Sequence, residues 1–439
     1  MGAGRADVKV AVAGLWHLGS VTAACLASGG HDVTGFDANP RVTESLARGV
    51  PPLFEPGLEQ LVKDGLASGR LHFTSDAHAA VSDADVIWIT IDTPVDDEDR
   101  ADVDFVVRAV AALFPHVRDG ALMLVSSQVP VGTTARLERL FDAQAGGRRL
   151  WFAYSPENLR LGKAIEVFTR PDRVVAGTRR AEDRDTIATL VQPFTDRIEW
   201  MSVESAEMTK HALNAFLAVS VTFINEIATL CEQVGADAAE VARGLKSESR
   251  IGPRAYLSPG GAFAGGTLAR DVTFLSALGT EHEVRTDLLS AVRASNDAHR
   301  RWAQRRLADL LGGVSGRTIA VWGLTYKPGT DTLRRSSSIE LCEWLLGQGA
   351  IVRAHDPAVR ELPPALAGRL QLADDALAAV QGADALVVAT PWPDYRSIDA
   401  GAVRARMAGS LVLDGNGFLA DTLGKQPDIT YGRVGQPVS

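Results

Sequence analysis

Residues 8–37 read VKVAVAGLWHLGSVTAACLASGGHDVTGFD. The apolar run VKVAVA predicts a short strand. A turn containing Gly14 and Gly19 follows, then a helical stretch, then a second strand ending in Asp37. A strand that feeds a helix and returns as a strand is the unit of a parallel, doubly wound sheet. Further strands are predicted at ADVIWITI, ALMLVSS and RVVAGT, with helical stretches between several of them. Residues 1–195 therefore read as one α/β domain.

The middle of the chain has a different texture. From Ser202 to about Leu245 there is little Pro or Gly, and apolar residues recur at helical spacing. This predicts one long, mostly buried helix. A loop, LSPGGAFAGGTLARD, and more helix to about Leu311 complete a central helical domain over 196–312. The β/α pattern then restarts. RTIAVWGL, AIVRAHDP, ADALVVAT and SLVLDG read as strands of a second α/β domain, 313–439. The two α/β halves share an architecture but not an alignable sequence repeat. The predicted fold class is α/β: two Rossmann-like doubly wound domains joined by a long central helix.

Bulk properties narrow the function. With 54 acidic and 45 basic residues the net charge is −9, which argues against a general nucleic-acid or anionic-membrane binder. Three scattered cysteines suit a reducing compartment and lack metal-ligand spacing. No metal site is expected. The N-terminus has neither the apolar core of a signal peptide nor a myristoylation signal. No stretch is expected to reach the ~18–20 apolar residues of a membrane span. A cytoplasmic protein without a membrane partner is the expectation.

The turn GLWHLG has the geometry that seats a pyrophosphate on a helix N-terminus, with Gly14 making the turn and Gly19 allowing close helix–strand packing. Asp37 lies 18 residues after Gly19. An acid there suits the hydroxyls of an adenosine ribose, and so NAD over NADP. Trp16 stands where a dinucleotide fingerprint has its middle glycine. On these residues alone, a cofactor site and an ordinary βαβ packing turn stay about equally open.

The remaining motifs, in order, are FDANP, PPLFEPGLEQLV (51–62), ITIDTPVD (89–96), SSQVPVGTT (126–134), SPENLRLGKAIEVFTRPDRVVAG (155–177), AEMTKHALNAFLAVSVTFINEIATLCEQVGAD (206–237), RIG (250–252) and GLTYKPGTDTLRRSSS (323–338). Through them the chain resembles the UDP-glucose/GDP-mannose dehydrogenase family along nearly its whole length. The resemblance implies an NAD-dependent enzyme that oxidises the C6 alcohol of a nucleotide sugar, with a UDP-hexose favoured. It implies a homodimer at least, built on the central helix, with the Arg250 segment reaching the neighbouring subunit's site.

The same resemblance implies roles for residues. Gly14, Trp16, His17, Leu18, Gly19, Asp37, Thr93, Pro94, Arg270 and Arg334 would hold the cofactor. Asn158, Leu159, Arg160, Arg250, Tyr256, Gly265 and Lys327 would hold the nucleotide sugar. Lys210 and Asn214, one turn apart on a helix, would bind the sugar and a catalytic water. Lys210 would also stabilise developing oxyanion charge. Glu157 and Asp271 would serve proton transfer and water ordering. Three of them have a plainer alternative: a solvated surface lysine at 210, a helix-start acid at 157, an N-cap at 271.

Departures from the family cluster near the chemistry. The family's G-F-G-G-S-C-F-P-K-D loop aligns with Ala262–Asp271, which puts Thr267 at the catalytic cysteine and Arg270 at the lysine. Gln128 replaces a threonine, Leu161 a glutamate and Arg335 a glutamate. A threonine hydroxyl is a far weaker nucleophile than a thiolate unless a base activates it. Cys231 lies 21 residues beyond Lys210, roughly 30 Å along a helix, and reads as a buried structural thiol, like Cys25 and Cys342. The open readings are a dehydrogenase that stops at the aldehyde, one that oxidises further without a covalent intermediate, a redox-neutral epimerase-like enzyme, and a non-catalytic nucleotide-sugar binder.

Overall fold

The structure is a computed structural model that describes residues 8–96, 101–157, 159–264, 266–333 and 336–437. The expected ligands Asn158, Gly265 and Arg334, together with Arg335, lie outside the described residues. The chain forms two compact units, Met1–Leu213 and Asn214–Ser439.

The first unit carries eight strands: β1 Lys9–Ala13, β2 Asp32–Phe36, β3 Leu71–Thr74, β4 Val86–Ile89, β5 Ala121–Val125, β6 Leu150–Tyr154, β7 Val174–Thr178 and β8 Ile198–Met201. They stand in the order 3-2-1-4-5-6-7-8. All neighbours are parallel except β6 and β7. The sheet is covered on both faces, because successive side chains point to opposite sides. Ala11, Ala13, Ile87 and Ile89 enter one core; Val10, Val12, Val86 and Trp88 enter the other. Strands buried on both faces read as continuous apolar runs, which is how β1, β4 and β5 were legible.

The second unit repeats the plan with six strands: β9 Thr318–Trp322, β10 Ile351–His355, β11 Gln371–Leu372, β12 Ala385–Val388, β13 Leu411–Asp414 and β14 Thr430–Gly432. Their order is 11-10-9-12-13-14, all parallel. Both sheets reverse direction beside their first strand, between β1 and β4 and between β9 and β12. Ligands of doubly wound sheets bind at that switch point, beyond the strand C-termini.

The central helix runs Val203–Val234 and not to Leu245. Gly235, at φ +79°, takes a left-handed conformation there. Asp237 then N-caps a separate helix, Ala238–Ser247, accepting from the Ala239 N–H at 2.7 Å. By length and composition the central helix is apolar enough to cross a membrane, against the expectation that no stretch is. Its best 18-residue window has a mean hydropathy of 1.5 and is 44% buried inside the protein. The helix also buries polar groups that all find protein partners. Glu207 accepts from the N–H groups of Gly132 and Thr134 and from the Thr134 hydroxyl, at 2.6–2.9 Å. The His211 ring bonds the Val129 carbonyl at 2.9 Å.

Candidate functional site

At the first switch point, Gly14 adopts φ +96°. A Cβ there would lie 2.7 Å from the Ile91 backbone, and one at Gly19 would lie 1.8 Å from the Gly14 carbonyl oxygen. Neither position tolerates a side chain. The first helix, His17–Ser28, is therefore packed tightly on β1. Trp16 is its N-cap, at φ −74° and ψ −150°, with no side-chain cap bond. That backbone suits any residue, so the missing glycine costs the turn nothing. Among the described residues, no protein acceptor takes the N–H groups of Trp16, His17 or Leu18. Free first-turn N–H groups are what a bound pyrophosphate requires.

Asp37 closes the turn. Its Oδ2 accepts the Leu15 N–H at 3.0 Å and its Oδ1 the Asn39 N–H at 2.9 Å. The carboxylate stays only half-buried. The Thr90 hydroxyl donates to the carbonyls of Ala13 and Gly14 at 3.0 and 2.8 Å. Thr93 and Gln128 meet through the Thr93 hydroxyl, which donates to the Gln128 carbonyl at 2.6 Å. Pro94 is exposed, and its carbonyl accepts the Asp102 N–H.

The second unit rebuilds this turn almost bond for bond, a repeat invisible in the sequence. Gly323, at φ +90°, takes the place of Gly14. The Leu324 N–H donates to Asp356 Oδ2 at 2.7 Å and the Ala358 N–H to Oδ1 at 2.9 Å. The Thr390 hydroxyl donates to the Thr325 carbonyl at 2.6 Å. One difference matters. Asp356 is 1% exposed, because the Thr325 hydroxyl and the Trp392 indole N–H also donate to it, at 3.1 and 3.0 Å. Its acceptor capacity is consumed, whereas Asp37 keeps capacity for a ribose. The residues at the first switch point fit a dinucleotide; those at the second do not present the same acid.

Elsewhere in the first unit, Lys210 is only 5% exposed, which excludes a solvated surface lysine. Its Nζ donates to the Glu157 backbone carbonyl and lies 3.3 Å from Glu157 Oε1. Glu157 is not a helix-start acid. It precedes the Gly162 turn, and its Oε2 accepts the Leu159 N–H at 2.8 Å. Leu159 is half-buried and Arg160 exposed.

In the second unit, Asn214 donates through its side-chain amide to Asp271 Oδ2, and both are buried. Asp271 is the fifth residue of the helix Thr267–Glu281, whose N-cap is Gly266, so it is not an N-cap. Thr267 opens that helix and is exposed. Its hydroxyl has no hydrogen-bond partner among the described residues. Arg270 is half-buried on the same helix. All three cysteines are buried, and burial pushes the thiols of Cys25 and Cys342 up to about 12. Arg250, Tyr256 and Lys327 are exposed. Among the described residues, Arg250 pairs with Glu248 at 3.0 Å.

Five residues not anticipated from sequence have defined roles. Asn225, His299 and Asn416 pin Gly260 and Gly261, and Asn296 holds both backbone groups of Phe263, at 2.8–3.1 Å. These side chains fix the loop that leads to Thr267. Burial lowers the His299 pKa, so it acts as a neutral hydrogen-bonding ring. The fifth is Glu55, buried beside His17. No local sequence signal marks a side chain whose partners lie far along the chain.

Sequence profiles of the UDP-glucose/GDP-mannose dehydrogenase family match three stretches: the NAD binding domain at 8–195, the central domain at 204–298 and the UDP binding domain at 320–421. A UDP-glucose 6-dehydrogenase of Pseudomonas aeruginosa is 36% identical, covering 98% of each chain. One from Rhizobium meliloti is 35% identical over 98% of this chain and all of its own. Among solved structures, a UDP-glucose dehydrogenase from Pyrobaculum islandicum superposes with a TM-score of 0.83 at 33% identity, covering 94% of this chain and 95% of that one. A UDP-D-ManNAc dehydrogenase from Pyrococcus horikoshii gives 0.83 at 26%, covering 98% and 100%. The chain belongs to the UDP-glucose/GDP-mannose dehydrogenase family and is an NAD-dependent nucleotide-sugar dehydrogenase.

Proposed function

We propose that this enzyme oxidises the C6 alcohol of a UDP-hexose and stops at the aldehyde, a two-electron reaction. The observation that carries the reading is Thr267. It stands at the family's cysteine position, opens its helix, and has no base among its described partners, while every thiol in the chain is buried. A hydroxyl from which no group takes the proton does not form the covalent adduct that a thiolate would. UDP-glucose is the substrate named for the relatives from P. aeruginosa and R. meliloti.

Bound NAD supplies the hydride acceptor for the oxidation. Trp16, His17 and Leu18 would hold its pyrophosphate through backbone N–H groups, at a turn that Gly14 and Gly19 keep tight, and Asp37 would hold a ribose. Lys210 offers a cation to the alkoxide developing at C6, where a buried charge acts strongly. Glu157 keeps that ammonium oriented through its carbonyl and carboxylate. Asp271 fixes the Asn214 amide that orients the sugar or its attendant water. Arg160, Arg250, Tyr256 and Lys327 serve the nucleotide diphosphate and sugar, with Arg and Lys suited to phosphate.

The active form is a homodimer. Phe216, Phe223 and Leu230 recur every seven residues on the central helix and are exposed, Phe216 at 69%. Seven residues are two helical turns, so the three share one apolar face. Such a stripe on a soluble domain calls for a partner.

The test is incubation of the purified enzyme with NAD and a panel of UDP- and GDP-hexoses, following NADH and the product mass. A UDP-hexose that yields NADH and a product two hydrogens lighter supports the reading. NADH formed with GDP-sugars alone, or no NADH at all, contradicts it.

A further inference from the structure

Glu55 lies in a loop between two helices and is one of the few buried carboxylates of the first unit. Its side chain is 1% exposed and both oxygens are engaged. Oε2 accepts from His17 Nε2 at 2.9 Å and from the Gly162 N–H at 2.8 Å; Oε1 accepts the Ala164 N–H at 2.9 Å. His17 is the first residue of the helix that opens at the cofactor turn. Gly162, at φ +87°, and Ala164 form the turn into the helix Ala164–Thr169. One buried anion thus joins two segments that are otherwise distant in sequence.

The segment it grips is held at both ends. Lys210 binds the Glu157 carbonyl at the N-terminal end, and Glu55 binds Gly162 and Ala164 at the other. Burial alone would raise the Glu55 carboxyl. The Gly162 N–H, His17 and the Ala164 N–H overrule it and keep the group ionised below the usual range. A buried carboxylate cannot release one donor without a large cost. A shift of the cofactor turn is therefore passed to the Gly162–Ala164 turn.

We propose that Glu55 is a positioning residue that couples the two ligand sites, so that cofactor and nucleotide sugar bind with positive cooperativity. This rests on the reading that Glu157, Leu159 and Arg160 contact the sugar nucleotide.

The test is a titration of NADH by its fluorescence, with and without saturating UDP-glucose. NADH cannot accept a hydride, so the complex does not turn over. In the wild type, UDP-glucose tightens NADH binding by about five-fold or more, the usual scale of site–site coupling. In His17→Phe, which removes the donor to Glu55, the ratio falls toward one. In His17→Gln, which restores an N–H donor, it recovers. Glu55→Gln loses the coupling as well, with melting curves confirming that each variant is folded. A His17→Phe ratio equal to the wild type overturns the proposal, as does a wild-type ratio of one with both ligands bound. Failure of the wild type to bind UDP-glucose at all instead removes the substrate reading beneath it, and the proposal with it.

Discussion

The Leu15 N–H donates to Asp37 at 3.0 Å, and the Leu324 N–H donates to Asp356 at 2.7 Å. The same bond in two units has different consequences, because Trp392 and Thr325 seal the second acid. Replacing Asp37 by Asn should raise the KM for NAD by about ten-fold, the loss of one charge-assisted bond of about 1.5 kcal/mol. It should also narrow the preference for NAD over NADP. Asp356→Asn should leave the KM for NAD unchanged and lower the melting temperature. Steady-state kinetics with both cofactors and a thermal melt check the pair.

Lys210 is buried with Glu157 as its partner. Lys210→Met removes the cation while keeping most of the apolar stem. The expected loss is in kcat, by about 10²–10³, as for other donors that meet developing oxyanion charge. The KM for NAD should move far less. A loss confined to KM would place Lys210 outside the reacting centre.

Glu55 gives a pH dependence of defined sign. Its folded pKa lies below the ordinary 4.5. The stabilisation is therefore fully present above that value and is lost as pH falls through the depressed folded value. Glu207 works in the opposite sense: burial holds it above 4.5, so its contribution is lost as pH rises through its folded value. In Glu55→Gln the acid limb of melting temperature against pH should flatten, while the neutral limb keeps its slope. Thermal melts across the acid range decide it.

The apolar stripe on the central helix predicts a dimer that a charge would break. Phe223→Glu should shift the species seen by light scattering toward the monomer, while Asp104→Asn, far along the chain on an exposed helix turn, should not. A monomeric wild type at micromolar concentration would contradict the dimer.

Much of this was legible in the sequence. Continuous apolar runs announced β1, β4, β5, β9, β12 and β13, since parallel strands are buried on both faces, while β10 alternates buried and partly exposed residues. β3, β8, β11 and β14 were missed because they are edge or near-edge strands with mixed polarity. β6 was missed although it is buried. The central helix ends well short of Leu245 because Gly235 stops it in a left-handed conformation and Asp237 caps a new helix. The pairs Lys210–Glu157 and Asn214–Asp271 involve residues already singled out by resemblance. Glu55 and the loop-pinning Asn225, Asn296, His299 and Asn416 were not, because only tertiary proximity gives them meaning.

The central claim is that Thr267 ends the reaction at the aldehyde. Its most direct measurement is the number of NADH formed per UDP-hexose consumed, for the wild type and for Thr267→Cys. A thiol at the first position of the helix Thr267–Glu281 would have its pKa lowered by the helix N-terminus. The account predicts one NADH and a C6 aldehyde, trapped as an oxime, for the wild type, and a rise toward two NADH with a carboxylate product for Thr267→Cys. Two NADH and a carboxylate from the wild type itself would contradict it, and would assign the second oxidation to the aldehyde hydrate.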